Sequence, residues 1–147
     1  MKWRFVDRVK RLEPWVRIEG LKCISLEEYS LLKRFGRKGT MPATLVMETC
    51  VDLARWLVMR SSDWSQGVVL SEVAEMRFDR EVGMSDVLLT TVEARRESES
   101  VIEAVCEARV EGERVMQGRF TVELVPLAEL LDPEDVKALW KEIHGAA

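Results

Sequence analysis

Two carboxylates, Glu48 and Asp52, stand four residues apart in a stretch, residues 43–60, that contains neither Gly nor Pro. At about 100° per residue, they share one narrow stripe of a helix with Thr44 and Arg55. Neighbouring carboxylates can act as general acid, general base or nucleophile, depending on how their surroundings shift their pKa values. This stripe is the first candidate for chemistry in the chain.

The helix that carries the stripe is expected over Pro42–Arg60 and is apolar around most of its remaining circumference. Pro42 suits the first helical turn, where its missing N–H costs nothing. A helix that is apolar on most sides is usually buried, whereas the three charges of the stripe, Glu48, Asp52 and Arg55, make a membrane span unfavourable. The pattern therefore predicts a core helix surrounded by other elements, with its charged stripe at an edge, an interface or a cavity.

Alternating apolar and polar residues predict the surrounding elements. A hairpin is expected over residues 3–24 and a short helix over residues 25–33, and residues 61–67 have the composition of a polar linker. Strand segments are then expected over residues 73–82, 87–95, 101–111 and 115–124. The residues expected to face the core are Val16, Ile18 and Ile24; Ala74, Met76, Phe78 and Val82; Ala104, Cys106, Ala108 and Val110; and Met116, Phe120, Val122 and Leu124.

Short turns between the later strands favour antiparallel pairing. One face of the resulting sheet is expected to be exposed to solvent, and the other is apolar and must pack against another element. The long helix is the element that can pack against this apolar face, so the predicted fold class is α+β. Asp132 and Pro133 predict the start of a C-terminal helix that ends near residue 143 and packs on the sheet edge or on a neighbour.

Composition excludes several classes of function. The 147 residues suit one core, and 47% hydrophobic with 33% charged residues is typical of a globular protein. The net charge of −4, with Lys and Arg interspersed among acids, gives no reason to bind nucleic acid. No segment suits a signal peptide or a bilayer span, so no membrane association is expected.

Cysteine and histidine usage limits the chemistry further. Cys23, Cys50 and Cys106 are odd in number and widely spaced, which indicates free thiols and a cytoplasmic location. His144 is the only histidine and lies near the C-terminus, which argues against a histidine-based triad and most zinc patterns. No metal and no organic cofactor is implied. Cys50 lacks a histidine partner, so we expect a packed thiol and not a nucleophile.

Three local strings match a known family: FVDRV at residues 5–9, RFGRKGTMP at residues 34–42 and RFDREV at residues 77–82. Together they resemble FabZ-type 3-hydroxyacyl-acyl-carrier-protein dehydratases. The resemblance implies a hotdog fold, an antiparallel sheet wrapped around a long central helix. It covers about residues 3–125, which implies a hotdog domain over residues 1–125 and a helical extension over residues 126–147.

The chain departs from that family at a catalytic position. The resemblance implies a loop histidine that moves the proton at C2 of the substrate, and a helix acid from the other protomer that assists at the C3 hydroxyl. Glu48 falls on the acidic position, but Arg34 falls on the histidine position. A guanidinium stays protonated at any working pH, so Arg34 cannot serve as a general base. Asp52 replaces the family's glutamine.

The resemblance also implies substrate-binding residues. Ala43 falls on a family glycine and can still present its backbone N–H to a thioester carbonyl, and Gly39 and Phe35 complete the set. The implied partners are acyl groups carried on acyl carrier protein or coenzyme A. The implied assembly is a homodimer or higher oligomer, or a heterodimer with an active dehydratase subunit. In such a dimer Arg34 would face Glu48 of the partner subunit.

Three interpretations follow. The first is an acyl-thioester-binding protein of fatty-acid or polyketide-type metabolism that has lost ordinary dehydration, as a pseudo-enzyme or as the inactive half of a heterodimer. The second is a thioesterase that uses Glu48 or Asp52 beside the Ala43 amide. The third is a dehydratase in which Glu48 and Asp52 share a proton, although a neighbouring Arg55 is expected to hold both ionised.

Overall fold

The computed structural model describes residues 4–24 and 40–144. Within them the elements are, in chain order, β1 (Arg8–Glu13), β2 (Arg17–Cys23), β3 (Thr40–Met41), α1 (Ala43–Ser61), β4 (Gln66–Phe78), β5 (Val82–Gly83), β6 (Val87–Arg96), β7 (Val101–Val110), β8 (Glu113–Pro126), a 3₁₀ turn (Leu127–Glu129) and α2 (Pro133–Ile143). The short helix expected over residues 25–33 lies outside the described residues.

The main sheet has six antiparallel strands in the order β1-β2-β6-β7-β8-β4, and β3 pairs separately with β5. The sheet packs against α1, whose residues contact β2, β4, β6, β7 and β8. The predicted α+β arrangement of an antiparallel sheet around one long helix is confirmed, and the helix bounds differ from the expected ones by a single residue at each end.

The hydrophobic core lies between α1 and the inner face of the sheet. Every expected inward-facing residue of β7 and β8 is buried, as is Ile18 in β2. Val16 is a wrong prediction, because 47% of it is exposed. Its N–H donates to the Glu13 carbonyl at 3.0 Å, and Trp15 before it has a φ of 61°. Val16 therefore belongs to the turn between β1 and β2, where strand alternation does not apply.

Strand β4 differs most from expectation. It begins at Gln66 within the expected linker, and Ala74 and Phe78 are exposed where they were expected to face the core. The pairing with β8 shifts register twice, between Leu70 and Glu72 and again before Glu75. Such bulges bend and twist an edge strand, so a simple two-residue alternation no longer tells which side chains face inward.

The C-terminal helix α2 packs against the edge strand β1, in agreement with the prediction. The Asp132 side chain caps it by accepting from the Glu134 N–H at 3.0 Å. Trp140 packs against two other indoles, with ring-centroid distances of 5.6 Å to Trp56 and 6.0 Å to Trp64. The helix thereby shares the core of the sheet. No helix in the described ranges is long and apolar enough to cross a membrane.

Candidate active site

The start of α1 is held by a two-residue ladder that sequence patterns did not reveal. Met41 pairs with Val82, both of them buried, and Thr40 pairs with Gly83. The Asp86 carboxylate accepts from the Gly83 N–H at 2.8 Å, which fixes the turn after β5. Two-residue strands carry almost no periodic signal, although the family-like string at residues 77–82 ends at this anchor. The ladder positions the N-terminal turn of α1.

Gly20 sets how closely α1 approaches β2. A Cβ at this position would lie 2.7 Å from Cδ2 of Leu53 and 3.3 Å from both the Arg8 carbonyl and the Val6 side chain. The glycine weakens the strand locally, but it gives the central helix room to pack directly on the backbone. The depth of the helix in the sheet, and with it the height of the charged stripe, depends on this contact.

The predicted stripe is present as a compact ion cluster. A guanidinium nitrogen of Arg55 lies 2.5 Å from Oε1 of Glu48 and 3.5 Å from Oδ1 of Asp52. These side chains are between 25% and 36% exposed in the single chain. Arg55 donates to both carboxylates and so joins the two candidate catalytic groups in one network. Arg34 lies outside the described residues, so the cluster as described contains a single cation.

Asp52 has an altered acidity within this cluster. Burial raises the pKa of its carboxyl above the usual 3.8, and the Glu48 charge raises that pKa further. Arg55 opposes both effects without cancelling them. Arg55 favours ionisation of Asp52, as expected, but desolvation is the larger influence, so the pKa of Asp52 is raised overall. A carboxyl with a raised pKa beside an ion-paired Glu is suited to holding or accepting a proton.

Ala43 is the first residue of α1 and is exposed. Pro42 occupies the cap position and makes no side-chain capping hydrogen bond, and its carbonyl accepts from the Leu45 N–H at 2.9 Å and from the Val46 N–H at 3.2 Å. The N–H groups of a first helical turn have no acceptor within the helix and can bind a carbonyl or an anion. Ala43 therefore lies where an amide could contact a thioester. Phe35 and Gly39 lie outside the described residues.

The remaining nucleophile candidates are structural. Cys50 is fully buried, and burial, followed by its contact with Cys106, raises the pKa of its thiol. His144 stacks on Trp140 with a ring-centroid distance of 4.7 Å, beyond the far end of α1. Across residues 4–24 and 40–144, no group of three or more His, Cys, Asp or Glu side chains could hold a metal ion.

Solved structures define the class of fold. A hot-dog-like protein from Thermanaerovibrio acidaminovorans superimposes with a TM-score of 0.65 at 16% identity, covering 92% of this chain and 96% of that one. A hypothetical thioesterase from Streptococcus pneumoniae, solved with coenzyme A, gives a TM-score of 0.64 at 14% identity, covering 81% of this chain and 85% of that one. The chain is a hotdog-fold protein, as its family resemblance predicted.

Sequence relatives define the family within that class. The model of the FabA-like domain matches residues 1–119. The chain is 31% identical to the 3-hydroxyacyl-[acyl-carrier-protein] dehydratase FabZ of Natranaerobius thermophilus over 122 residues, which cover 82% of this chain and 85% of the relative. FabZ of Rickettsia massiliae is 29% identical over 118 residues, which cover 79% of this chain and 81% of the relative. The chain belongs to the FabA-like domain family, and α2 lies beyond the matched region.

Proposed function

We propose that this protein binds acyl thioesters, carried on acyl carrier protein or coenzyme A, as a FabZ-like hotdog protein that has lost ordinary dehydration. The observation that carries the proposal is the Glu48 cluster on the central helix. Glu48 occupies the family's acidic position, but its carboxylate is engaged by Arg55 at 2.5 Å, and the family's histidine position is Arg34. The acid of the dehydratase site is retained while its usual base is missing.

The missing histidine accounts for the expected loss of activity. Dehydration needs a group that removes a proton at C2 while the hydroxyl at C3 leaves. A guanidinium cannot accept that proton, whereas it can bind an anionic group or the partner subunit's carboxylates. The protein would then be a thioester-binding pseudo-enzyme, or one half of a heterodimer whose other subunit supplies the histidine. Acyl carrier protein and the heterodimer are parts of this proposal.

An oligomer is supported by the exposed edge of the sheet. Strand β4 is 13 residues long and pairs on one side, with β8. Val69, Val73 and Phe78 on this strand are each between 41% and 42% exposed. Long apolar edge strands invite pairing with another chain, and β4 packs against the helix that carries Glu48. A second copy joined at β4 would cover the apolar edge and enclose the cluster.

The alternative is a thioesterase, and the raised pKa of Asp52 favours it specifically. A carboxylate with a raised pKa is a better general base towards water than an ordinary one. The exposed Ala43 amide at the start of the same helix could bind the thioester carbonyl while water attacks. Solved thioesterases share the fold, but at identities too low to transfer an activity.

A thioester panel separates these functions. The purified protein is incubated with 3-hydroxyacyl, 2-enoyl and saturated acyl thioesters on both carriers, and hydration or dehydration is followed separately from thiol release. Glu48→Gln and Asp52→Asn are compared with Glu97→Gln in the exposed turn between β6 and β7, a matched loss of one carboxylate.

Binding of the thioesters without turnover supports the main proposal. Thiol release that Asp52→Asn abolishes and Glu97→Gln leaves intact would establish the thioesterase instead. Failure to bind any of the thioesters would contradict both functions.

A further inference from the structure

A second concave site lies at the opposite end of α1 from Ala43. A cleft of about 300 Å³ is enclosed by the edge strand β1, the last turn of α1 and the end of α2. Its cationic lining residues are Lys10, Arg11 and Arg60, and its floor includes Trp140 beneath His144. Arg60 is twelve residues beyond Glu48, or about 18 Å along the helix axis. We call this feature the cationic cleft.

A bulge in β1 gathers two of the cations. Val9 pairs with Gly20 and Arg11 pairs with Glu19, so Lys10 is an inserted residue without a partner on β2. The insertion places Lys10 and Arg11 side by side on the exposed side of the strand, while Val9 is buried. Without the bulge these neighbours would point to opposite faces. Bulges commonly re-aim side chains at binding sites.

No acidic side chain among the described residues neutralises the cations of the cleft. Most arginines on the described outer sheet face form ion pairs, as Arg95 does with Glu103 and Arg109 with Glu107. Lys10, Arg11 and Arg60 have no ion-pair partner within residues 4–24 and 40–144. The carbonyl end of α1 partly favours Arg60, but one helix end does not balance three cations. Although the chain has a net charge of −4, this local excess of positive charge favours the binding of an anion.

We propose that the cationic cleft binds a small phosphate-bearing anion. Arginine forks hold phosphate oxygens in pairs, and lysine adds a mobile point charge, so these three side chains suit a group with a double negative charge. The volume is at the small end of ligand pockets. The outer ring face of His144 and the exposed Pro14 ring can contact an organic group joined to the phosphate. This site is separate from the Glu48 cluster and does not depend on the function proposed there.

Titration of the full chain with pyrophosphate and with ADP tests the proposal at low ionic strength. Binding is measured by calorimetry and by quenching of tryptophan fluorescence, since Trp140 lies in the floor of the cleft. We expect a Kd below about 1 mM for at least one probe, and an affinity that falls as salt is added. Tighter binding of ADP would identify a nucleotide as the ligand, and equal binding would identify the phosphate group alone.

Charge-removing variants locate the site. Arg60→Gln and Lys10→Gln are each expected to weaken binding roughly tenfold. Lys141→Gln is the matched control, because it removes an exposed cation next to Trp140 that does not line the cleft, and it should leave the Kd unchanged. Thermal melts confirm that each variant is folded. If Arg60→Gln does not fold, Lys10→Gln alone tests the location of the site. Absence of binding for both probes, or equal affinity in the wild type and the folded cleft variants, would overturn the proposal.

Discussion

The two ends of α1 differ in charge, in packing and in their relation to the family. Towards the N-terminus, Glu48 and Asp52 share Arg55 on a stripe that is about one-third exposed. Towards the C-terminus, Trp56 packs in an indole cluster with Trp140, beside three cations that have no acidic partner in the part of the chain that the structure describes. The first region falls within the FabA-like match, whereas Trp140 of the second region belongs to α2, beyond it.

Under the two proposals, one helix serves two purposes. In the proposed function, the N-terminal half carries Glu48 at the family's acidic position, beside Asp52 and Arg55. The C-terminal half packs its Trp56 ring against Trp140 of α2, which also lines the cationic cleft. Stability and chemistry are therefore expected to separate along α1, and the predictions below test that separation.

Truncation of the indole cluster should have the largest effect on stability. Trp140→Ala removes a buried ring that contacts Trp56 and Trp64, so we expect a loss of about 3–5 kcal/mol in the free energy of unfolding. Urea denaturation measures this loss, with Lys141→Ala on the exposed side of α2 as the control. A loss below about 1 kcal/mol would show that α2 is not part of the folded core.

A methyl group at Gly20 should have the next largest effect. Gly20→Ala forces a Cβ to within 2.7 Å of Leu53 Cδ2, and overpacking of this kind costs about 1–3 kcal/mol. Leu53→Ala creates space at the same contact, so combining the two substitutions should cost less than the sum of the single changes. Strict additivity in the double-mutant cycle would mean that the glycine does not control how closely α1 approaches β2.

The raised pKa of Asp52 predicts a pH dependence with a definite sign. Between the usual value of 3.8 and the raised folded value, the folded chain binds more protons than the unfolded chain. Wild-type stability should therefore decrease through this window as pH rises, relative to Asp52→Asn, which cannot titrate there. Denaturation of both proteins from about pH 4 to pH 7 measures the difference. A wild-type stability that rises relative to that of Asp52→Asn as pH rises would contradict the raised pKa of Asp52.

The Glu48–Arg55 pair should contribute least to the stability of the single chain. Both side chains are partly exposed, so a double-mutant cycle with Glu48→Gln and Arg55→Gln should give a coupling energy below about 1 kcal/mol. Measurement over a range of protein concentrations tests enclosure by a second copy, which would strengthen the coupling as the protein associates. Val73→Lys, which charges the β4 edge, should remove any such increase.

Sequence patterns correctly predicted which side chains face the core in strands that have one face buried within the single chain. The alternation in β7 and β8 placed all eight inward-facing residues correctly, because both strands have neighbours on each side and a helix below. Val16 failed because a turn with positive φ at Trp15 precedes β2. Ala74 and Phe78 failed because β4 is a bulged edge strand, where register depends on geometry and not on hydrophobic period.

The sequence predicted which residues form the candidate site, but it did not predict the direction of the pKa shift of Asp52. Helical spacing alone brought Glu48, Asp52 and Arg55 together, since residues three, four and seven positions apart share a face. The direction of the Asp52 pKa shift depends on how much water the packed structure removes, which spacing does not specify. The cationic cleft was not predicted because Lys10 and Arg60 are distant in sequence. The β-bulge that orients Lys10 also has no recognisable pattern in the sequence.

The central claim is that Glu48 retains its family position while Arg34 removes the base. The most direct test compares hydration of a 2-enoyl thioester by the wild type and by Arg34→His, at equal protein concentration and on both carriers. We predict no measurable hydration by the wild type and a gain of at least about a hundredfold over background in Arg34→His, as expected for restored acid–base catalysis. Efficient hydration by the wild type, abolished by Glu48→Gln, would contradict the claim, because the chain would then catalyse the reaction without a histidine.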